Sequence, residues 1–160
     1  MQDMVEPDIR PDFRPRVTVA AVIEQGGRFL CVEERLASRK LVINQPAGHL
    51  ESAESVVEAV VRETLEETGW HLVPEAVIGI YLWQNPQTGS SFLRIAVTGS
   101  ATPPCGPVPL DAEIERTLWL SRDELAAQRE HHRSPLVLRT VDDYLAGERH
   151  SLALLKPFLA

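Results

Sequence analysis

Glu63, Glu66 and Glu67, in the run Arg62-Glu63-Thr64-Leu65-Glu66-Glu67-Thr68-Gly69, are the residues whose spacing most needs a chemical explanation. The segment from Pro46 to Trp70 joins a glycine turn to one charged helix. Ser52 or Glu54 stands near the helix start, Gly69 is placed to end it, and nothing between them breaks it. At about 100° per residue the three carboxylates fall within an arc of roughly 100°, so they share one helix face. Like charges in that relation repel by about a few tenths of a kcal/mol per pair, and no lysine is interspersed to relieve them. A solvated acidic face accounts for most charge runs. Carboxylates crowded in this way also suit a cation, and hard oxygen donors without His or Cys favour Mg²⁺ or Mn²⁺ over Zn²⁺.

The flanking residues decide between these readings. Gly48, five residues, Glu54, seven residues, Arg62-Glu63, two residues, Glu66-Glu67, one residue, Gly69: this long pattern closely resembles the signature of the Nudix hydrolases. Thr64 and Trp70 depart from it, each standing where the family usually carries an aliphatic residue; both are packing positions rather than ligand positions. Many family members have two glycines where this chain has Ala47-Gly48. That variant, with QPAGHLE, the spacing to Trp83, Phe92-Leu93-Arg94 and the RSPLV of Arg133 to Val137, gives a narrower resemblance to a bacterial phosphatase within the family, over roughly residues 16 to 157.

The resemblance implies an α/β fold, the α/β/α sandwich with a mixed sheet between helices, and metal-assisted hydrolysis of a phosphoanhydride. By analogy Glu63, Glu66 and Glu67 hold Mg²⁺, with Mn²⁺ as a substitute, and a backbone carbonyl of Gly48 or its neighbour joins them. Either Glu63 or Glu67 accepts the proton of the attacking water, or the metal assists by lowering that water's pKa; Arg62 orients a glutamate, and Glu54 is structural. Some family members add an acid from the loop before the last strand; Glu113 is the candidate here, with Glu115 behind it. The implied partner is a small-molecule nucleotide or pyrophosphate: nucleoside tri- and diphosphates and the diphosphate of the thiamin pyrimidine, releasing orthophosphate. Another Nudix pyrophosphatase, acting on ADP-ribose or a nucleotide sugar, is the alternative, and a non-catalytic ligand-sensing module is the third reading.

Substrate contacts are sought outside the helix. Arg94, Arg116 and Arg133 are candidate phosphate clamps, because the guanidinium fork suits phosphate oxygens, and the narrower resemblance favours Arg94 and Arg133. His49 adjoins the motif glycine. Trp83, Tyr81 and Phe92 are candidates to stack a flat heterocycle, although aromatic residues in strands more often belong to a core, as expected for Trp119.

The elements that must position these residues can be read from pattern. Val17 to Ile23 and Arg28 to Val32 flank Gly26-Gly27 as a hairpin; Glu33-Glu34-Arg35 and Ser38-Arg39-Lys40 read as a polar link whose cations could meet phosphates; and Leu41 to Ile43 is a short strand entering a tight loop, Asn44 to His49. Ala76 to Trp83 and Ser91 to Val97 form a second hairpin, residues 101 to 110 a proline-rich surface loop, and Glu113 to Leu120 the last strand. Ser121 caps a short helix, and Ser134-Pro135 opens another that runs to about Ala146 and stops at Gly147.

With 160 residues, 44% of them hydrophobic, the chain suffices for one domain, expected over residues 16–160 behind an extended lead-in over residues 1–15. Sixteen basic against 23 acidic residues, a net charge of −7, leave no electrostatic footprint for a nucleic-acid polymer or an anionic membrane. The absence of a long apolar run and of a signal-like start points to the cytoplasm. Cys31 reads as a buried free thiol and Cys105 as a loop residue, and oligomeric state is not encoded in any pattern found.

Overall fold

The computed structural model describes residues 13–159, so most of the lead-in expected over residues 1–15 lies outside the described residues. The chain forms β1 (Arg16–Val22), β2 (Glu24–Gln25), β3 (Arg28–Arg35), β4 (Leu41–Asn44) and β5 (Ala47–His49) before helix α1 (Val56–Thr68). Long strands β6 (His71–Gln84) and β7 (Ser91–Thr102) follow, then β8 (Ile114–Ser121), helices α2 (Arg122–Ala127) and α3 (Leu136–Leu145), and β9 (His150–Ser151).

Two sheets result. One has the order β5-β1-β7-β6-β9 and is mixed, because β1 runs parallel to β7 while β6 and β7 form an antiparallel hairpin. In the other, β3 is central, with β2 and β4 on one edge and β8 on the opposite edge. The first expected hairpin is therefore only half right. Gly26 and Gly27, at φ 59° and 77°, make the tight two-residue turn, but it joins β3 to β2 alone. β1 instead pairs with β5 and β7 in the other sheet, and the chain changes sheets at Ile23. Local pattern shows where a strand lies and is silent about a parallel partner some 75 residues away.

Two further expectations are corrected. Glu33-Glu34-Arg35 is not a link: these residues complete β3, paired with β4 on one side and β8 on the other. The loop from Asn44 to His49 includes β5, whose antiparallel register sets Gly48 opposite Val19.

α1 starts later than Ser52 or Glu54. Ser55 is the N-cap: its hydroxyl accepts from the Glu58 N–H at 3.2 Å, and the Glu58 carboxylate accepts from the Ser55 N–H at 2.7 Å, a reciprocal capping box. Gly69 ends the helix at φ 74°, its N–H bonded to the Leu65 carbonyl. At α3, Ser134 Oγ accepts from the Leu136 N–H at 3.2 Å.

Alternation along the strands feeds two cores. Val19, Ala21 and Leu30 pack with Ala59 and Val60 of α1, whereas Val22, Phe29 and Cys31 pack with Leu125 of α2 and Val137 and Val141 of α3. The sheets are thus sandwiched between helices, as the resemblance implied. Thr64 is fully enclosed and donates to the Val60 carbonyl, and Trp70 meets Trp119 edge to face at 5.2 Å against the α1-side core. Cys31 is a buried free thiol, pushed up to about 12 by burial, and Cys105 is exposed. Among the described residues no helix is long and apolar enough to cross a membrane.

Removing the Ser55 hydroxyl takes away one half of the capping box that fixes where α1 begins. Ser55→Ala should lower the unfolding free energy by about 1 kcal/mol in denaturant titration, with an unchanged slope.

Candidate active site

The crowded acids of α1 are held by one guanidinium. Arg62 uses all five of its N–H donors: Nε and Nη2 grip Glu54 at 2.9 and 2.7 Å, Nη1 bonds Glu63 at 2.8 Å and Glu66 at 3.1 Å, and Nη2 also bonds the His49 carbonyl at 3.1 Å. Glu51 lies 3.6 Å from Nη1. Hydrogen bonding to Glu54 above all raises the Arg62 pKa further, and the bond to Arg62 lowers that of Glu54. Arg62 does not line the cavity described below, and its bonds tie Glu54, Glu63 and Glu66 together at the start of the acidic face.

Glu63 and Glu66 find a third carboxylate from a different element. Ligand oxygens of Glu63, Glu66 and Asp111 lie within 4.8 Å of one another, the one group of this kind among the described residues. Asp111 is brought there by the proline-rich loop, which is strapped onto the end of α1. Its N–H donates to the Glu66 carbonyl at 3.0 Å, and Val108 packs so close to Gly69 that a Cβ there would strike it. The chemistry of the set, hard oxygen atoms alone, fits a divalent ion such as Mg²⁺. Gly48 fits it too: the Glu63 carboxylate occupies the space that any side chain at 48 would need.

Glu113, the expected additional acid, is not in this group. β8 begins at Ile114, and Glu113 lies on the turn before it, its carbonyl accepting from the Arg35 N–H. Glu115 pairs with Arg35 on the outer side at 2.8 Å. The expectation weighed Glu113 and Glu115 and did not consider Asp111, because where a proline-rich path meets the helix is not encoded in periodicity. Glu67 also stands outside the group. It is buried, and its Oε1 accepts from the Ala47 N–H at 2.7 Å. Burial, with Glu34, Glu63 and Asp111 nearby, pushes its carboxyl up to about 9 against that hydrogen bond, and burial likewise raises Glu63.

Glu63, Glu67 and Asp111 open onto a cavity of about 1530 Å³. A polar chain runs beside this cavity, and its members Glu34, Asn44 and Gln45 fall where the pattern predicts a link and a loop. Arg133 pairs with Glu34 at 3.3 Å, Glu34 bonds Asn44, and Asn44 and Gln45 each accept from Arg94 Nη2, at 3.0 and 3.2 Å. Burial first of all raises the Glu34 carboxyl and lowers the Arg94 guanidinium to about 10. Glu34, Asn44 and Gln45 were missed because their signal is only a polar residue inside a strand or at its end.

The other candidates divide. Trp83 and Phe92, paired across β6 and β7, stack at 5.7 Å and 27° and line the cavity, as does His49 at the end of β5. Tyr81 is turned toward α3, its hydroxyl donating to Asp143 at 2.8 Å, and packs on the α3-side core. Arg116 is exposed and paired with Glu33 at 3.0 Å, outside the cavity lining.

A family model, the NUDIX domain, matches residues 12–140, and the chain belongs to the Nudix family. With this fold and these carboxylates it is a Nudix hydrolase. It is 39% identical over 146 residues to the Phosphatase NudJ of Escherichia coli K12, a match covering 91% of this chain and 94% of that one, and equally to the Phosphatase NudJ of Shigella flexneri. A NUDIX hydrolase from Nitrosomonas europaea is 43% identical and superposes with a TM-score of 0.88 over 91% of this chain and 98% of its own. The NUDIX domain of Shewanella oneidensis NrtR, solved with ADP ribose, is 14% identical with a TM-score of 0.66, over 84% and 88% of the two chains, and shares the fold alone.

The raised Glu67 carboxyl makes the metal-free protein sensitive to pH. The folded state keeps a proton that the unfolded chain releases above its ordinary value of 4.5, so this stabilisation is complete at low pH and is lost as pH rises through about 9. Melting of the metal-free protein should fall from about pH 5 to about pH 9, and Glu67→Gln, which mimics the protonated group, should flatten that fall.

Proposed function

We propose that the protein hydrolyses a phosphoanhydride bond in nucleoside tri- and diphosphates, and in small organic pyrophosphates such as the diphosphate of the thiamin pyrimidine, releasing orthophosphate with Mg²⁺ or Mn²⁺. The observation that carries this reading is the meeting of Glu63, Glu66 and Asp111 at the lip of a cavity that also contains Arg94 and the Trp83–Phe92 stack. The 39% identity to the Phosphatase NudJ over almost the whole chain supports the choice of a phosphatase.

Glu63, Glu66 and Asp111 would hold the divalent ion, and the resemblance adds a backbone carbonyl from Gly48, whose Cα packs against the Glu63 carboxylate. Such an ion supplies charge neutralisation on the phosphoryl oxygens as the anhydride opens. Of the two glutamates considered as proton acceptor, Glu67 suits the task better: Glu63 is engaged with Arg62 and the ligand group, whereas Glu67 lines the cavity with no ion pair among the described residues, and a divalent ion beside it would favour its ionised form. Water oxygen bonds to phosphorus, its proton passes to the Glu67 carboxylate, and the P–O anhydride bond breaks with its electron pair leaving on the bridging oxygen. Arg94 and Arg133, which both line the cavity, would meet phosphate oxygens, Trp83 and Phe92 offer a flat surface for a heterocycle, and His49 lines the same cavity.

Glu67→Gln should lower kcat by about 10² to 10⁴ while the protein melts at no lower temperature than wild type. Asp111→Asn should raise the Mg²⁺ concentration for half-maximal turnover by about 10-fold or more, with Glu113→Gln changing it little. First products from GTP, GDP and ADP-ribose test the bond cleaved. Orthophosphate from GTP and GDP is expected; pyrophosphate from GTP, or AMP from ADP-ribose, would replace this reading with that of another Nudix pyrophosphatase.

A further inference from the structure

Gln45 is a polar side chain in a place suited to an apolar one. It is 1% exposed, at the end of β4 beside the core that α3 closes. Its amide is fully committed. Nε2 donates to the Val137 carbonyl at 2.6 Å and to Thr140 Oγ1 at 3.0 Å, and because that hydroxyl itself donates to the Leu136 carbonyl, it can receive from Gln45. The amide is thereby fixed with nitrogen toward α3 and Oε1 toward Arg94, which donates to it at 3.2 Å.

Arg94 is 5% exposed, yet among the described residues no carboxylate lies within ion-pair distance of it. Its Nη2 donates to two neutral amide oxygens, of Asn44 and Gln45, and its Nε is enclosed without a partner. Nη1 bonds nothing among the described residues and is not among the enclosed unpaired atoms, which leaves it facing the cavity that Arg94 lines. Glu34 and Glu67 stand near enough to favour its charge but neither forms an ion pair with it, so the buried guanidinium keeps a donor free for an anion entering from the cavity.

We propose that Gln45 is a positioning residue that anchors Arg94 to α3 and aims Nη1 at a phosphate oxygen of the substrate without neutralising it. This rests on the reading of Arg94 as a substrate contact. A glutamate at 45 would reach Arg94 equally well, but it would cancel the charge that the phosphate needs and would set a carboxylate oxygen against the Val137 carbonyl.

A double-mutant cycle tests the proposal, using Gln45→Met, Arg94→Met and both together. Equilibrium binding of methylene-bridged guanosine diphosphate with Mg²⁺ is measured beside KM and kcat for phosphate release from GTP. Arg94→Met should weaken analogue binding by about 10- to 100-fold and Gln45→Met by about 10-fold, the range of a hydrogen bond to a charged group. For Gln45→Met the loss should appear in KM rather than kcat, and the double variant should bind no more weakly than Arg94→Met. Additive losses, or wild-type binding by Gln45→Met, would overturn the proposal, and wild-type binding by Arg94→Met would remove it together with the role given to Arg94. If GTP yields no phosphate but the binding cycle is non-additive, the proposal stands and the assigned reaction fails. Should Gln45→Met lack a cooperative melt, Thr140→Val, which removes one amide anchor, takes its place in the same cycle.

Discussion

The site depends on one cation taking up a crowd of anions. Without Arg62, the carboxylates of Glu54, Glu63 and Glu66 would repel along one face of α1, and Glu63 is buried, where an unpaired charge is most costly. The same guanidinium reaches the His49 carbonyl, so the neutralising group is also the clamp that joins the helix to β5. One fork therefore fixes the distance between the glycine turn and the ligand carboxylates. That distance leaves no room for a side chain at 48, which gives the motif glycine a steric reason rather than a conformational one.

The sandwich explains how such a tight junction is kept rigid. β1 and β3 each contribute alternate residues to the cores on either side, so neither α1 nor α3 can shift without disturbing strands that serve both. β1 pairs with β5 on one edge and β7 on the other, placing Gly48, Thr18 and Arg94 on neighbouring strands of one sheet. The acids of α1 and the arginine of the cavity floor are thus brought to one cavity by the same central strand, although they lie about 30 residues apart in sequence.

What could be read beforehand was local. The helix, its αL glycine, the β6–β7 hairpin and the cap at Ser121 follow from periodicity and punctuation within a few residues. The parallel pairing of β1 with β7 was hidden, because nothing near Val17 specifies a partner near Leu93. Glu34 looked like part of a solvated run because charge normally marks the surface; in the fold it is half-buried between Arg133 and Asn44. Of the carboxylate group, Glu63 and Glu66 were legible from the helix, whereas Glu67, expected with them, stands outside it. Asp111 joins through a backbone hydrogen bond to Glu66 and through Val108 packing on Gly69, contacts made by a loop whose prolines announce only that it is not a strand.

The cavity can be understood by how its charges are distributed. On the proposed reading a chain of net charge −7 admits a polyanion, so overall attraction is unavailable and local arrangement must supply it. Acids gather where Glu63 and Asp111 suit a divalent ion, and beside them runs a series of Arg133, Glu34, Asn44, Arg94 and Gln45. In that second series Glu34 pairs directly with Arg133, whereas toward Arg94 it makes no ion pair and acts through space and through Asn44. A direct pair would have satisfied Arg94 in the resting protein and left the floor electrostatically quiet. Neutral amides hold the guanidinium in place while leaving its charge to act on what enters, so the cavity is organised toward an anion even though the protein as a whole repels one.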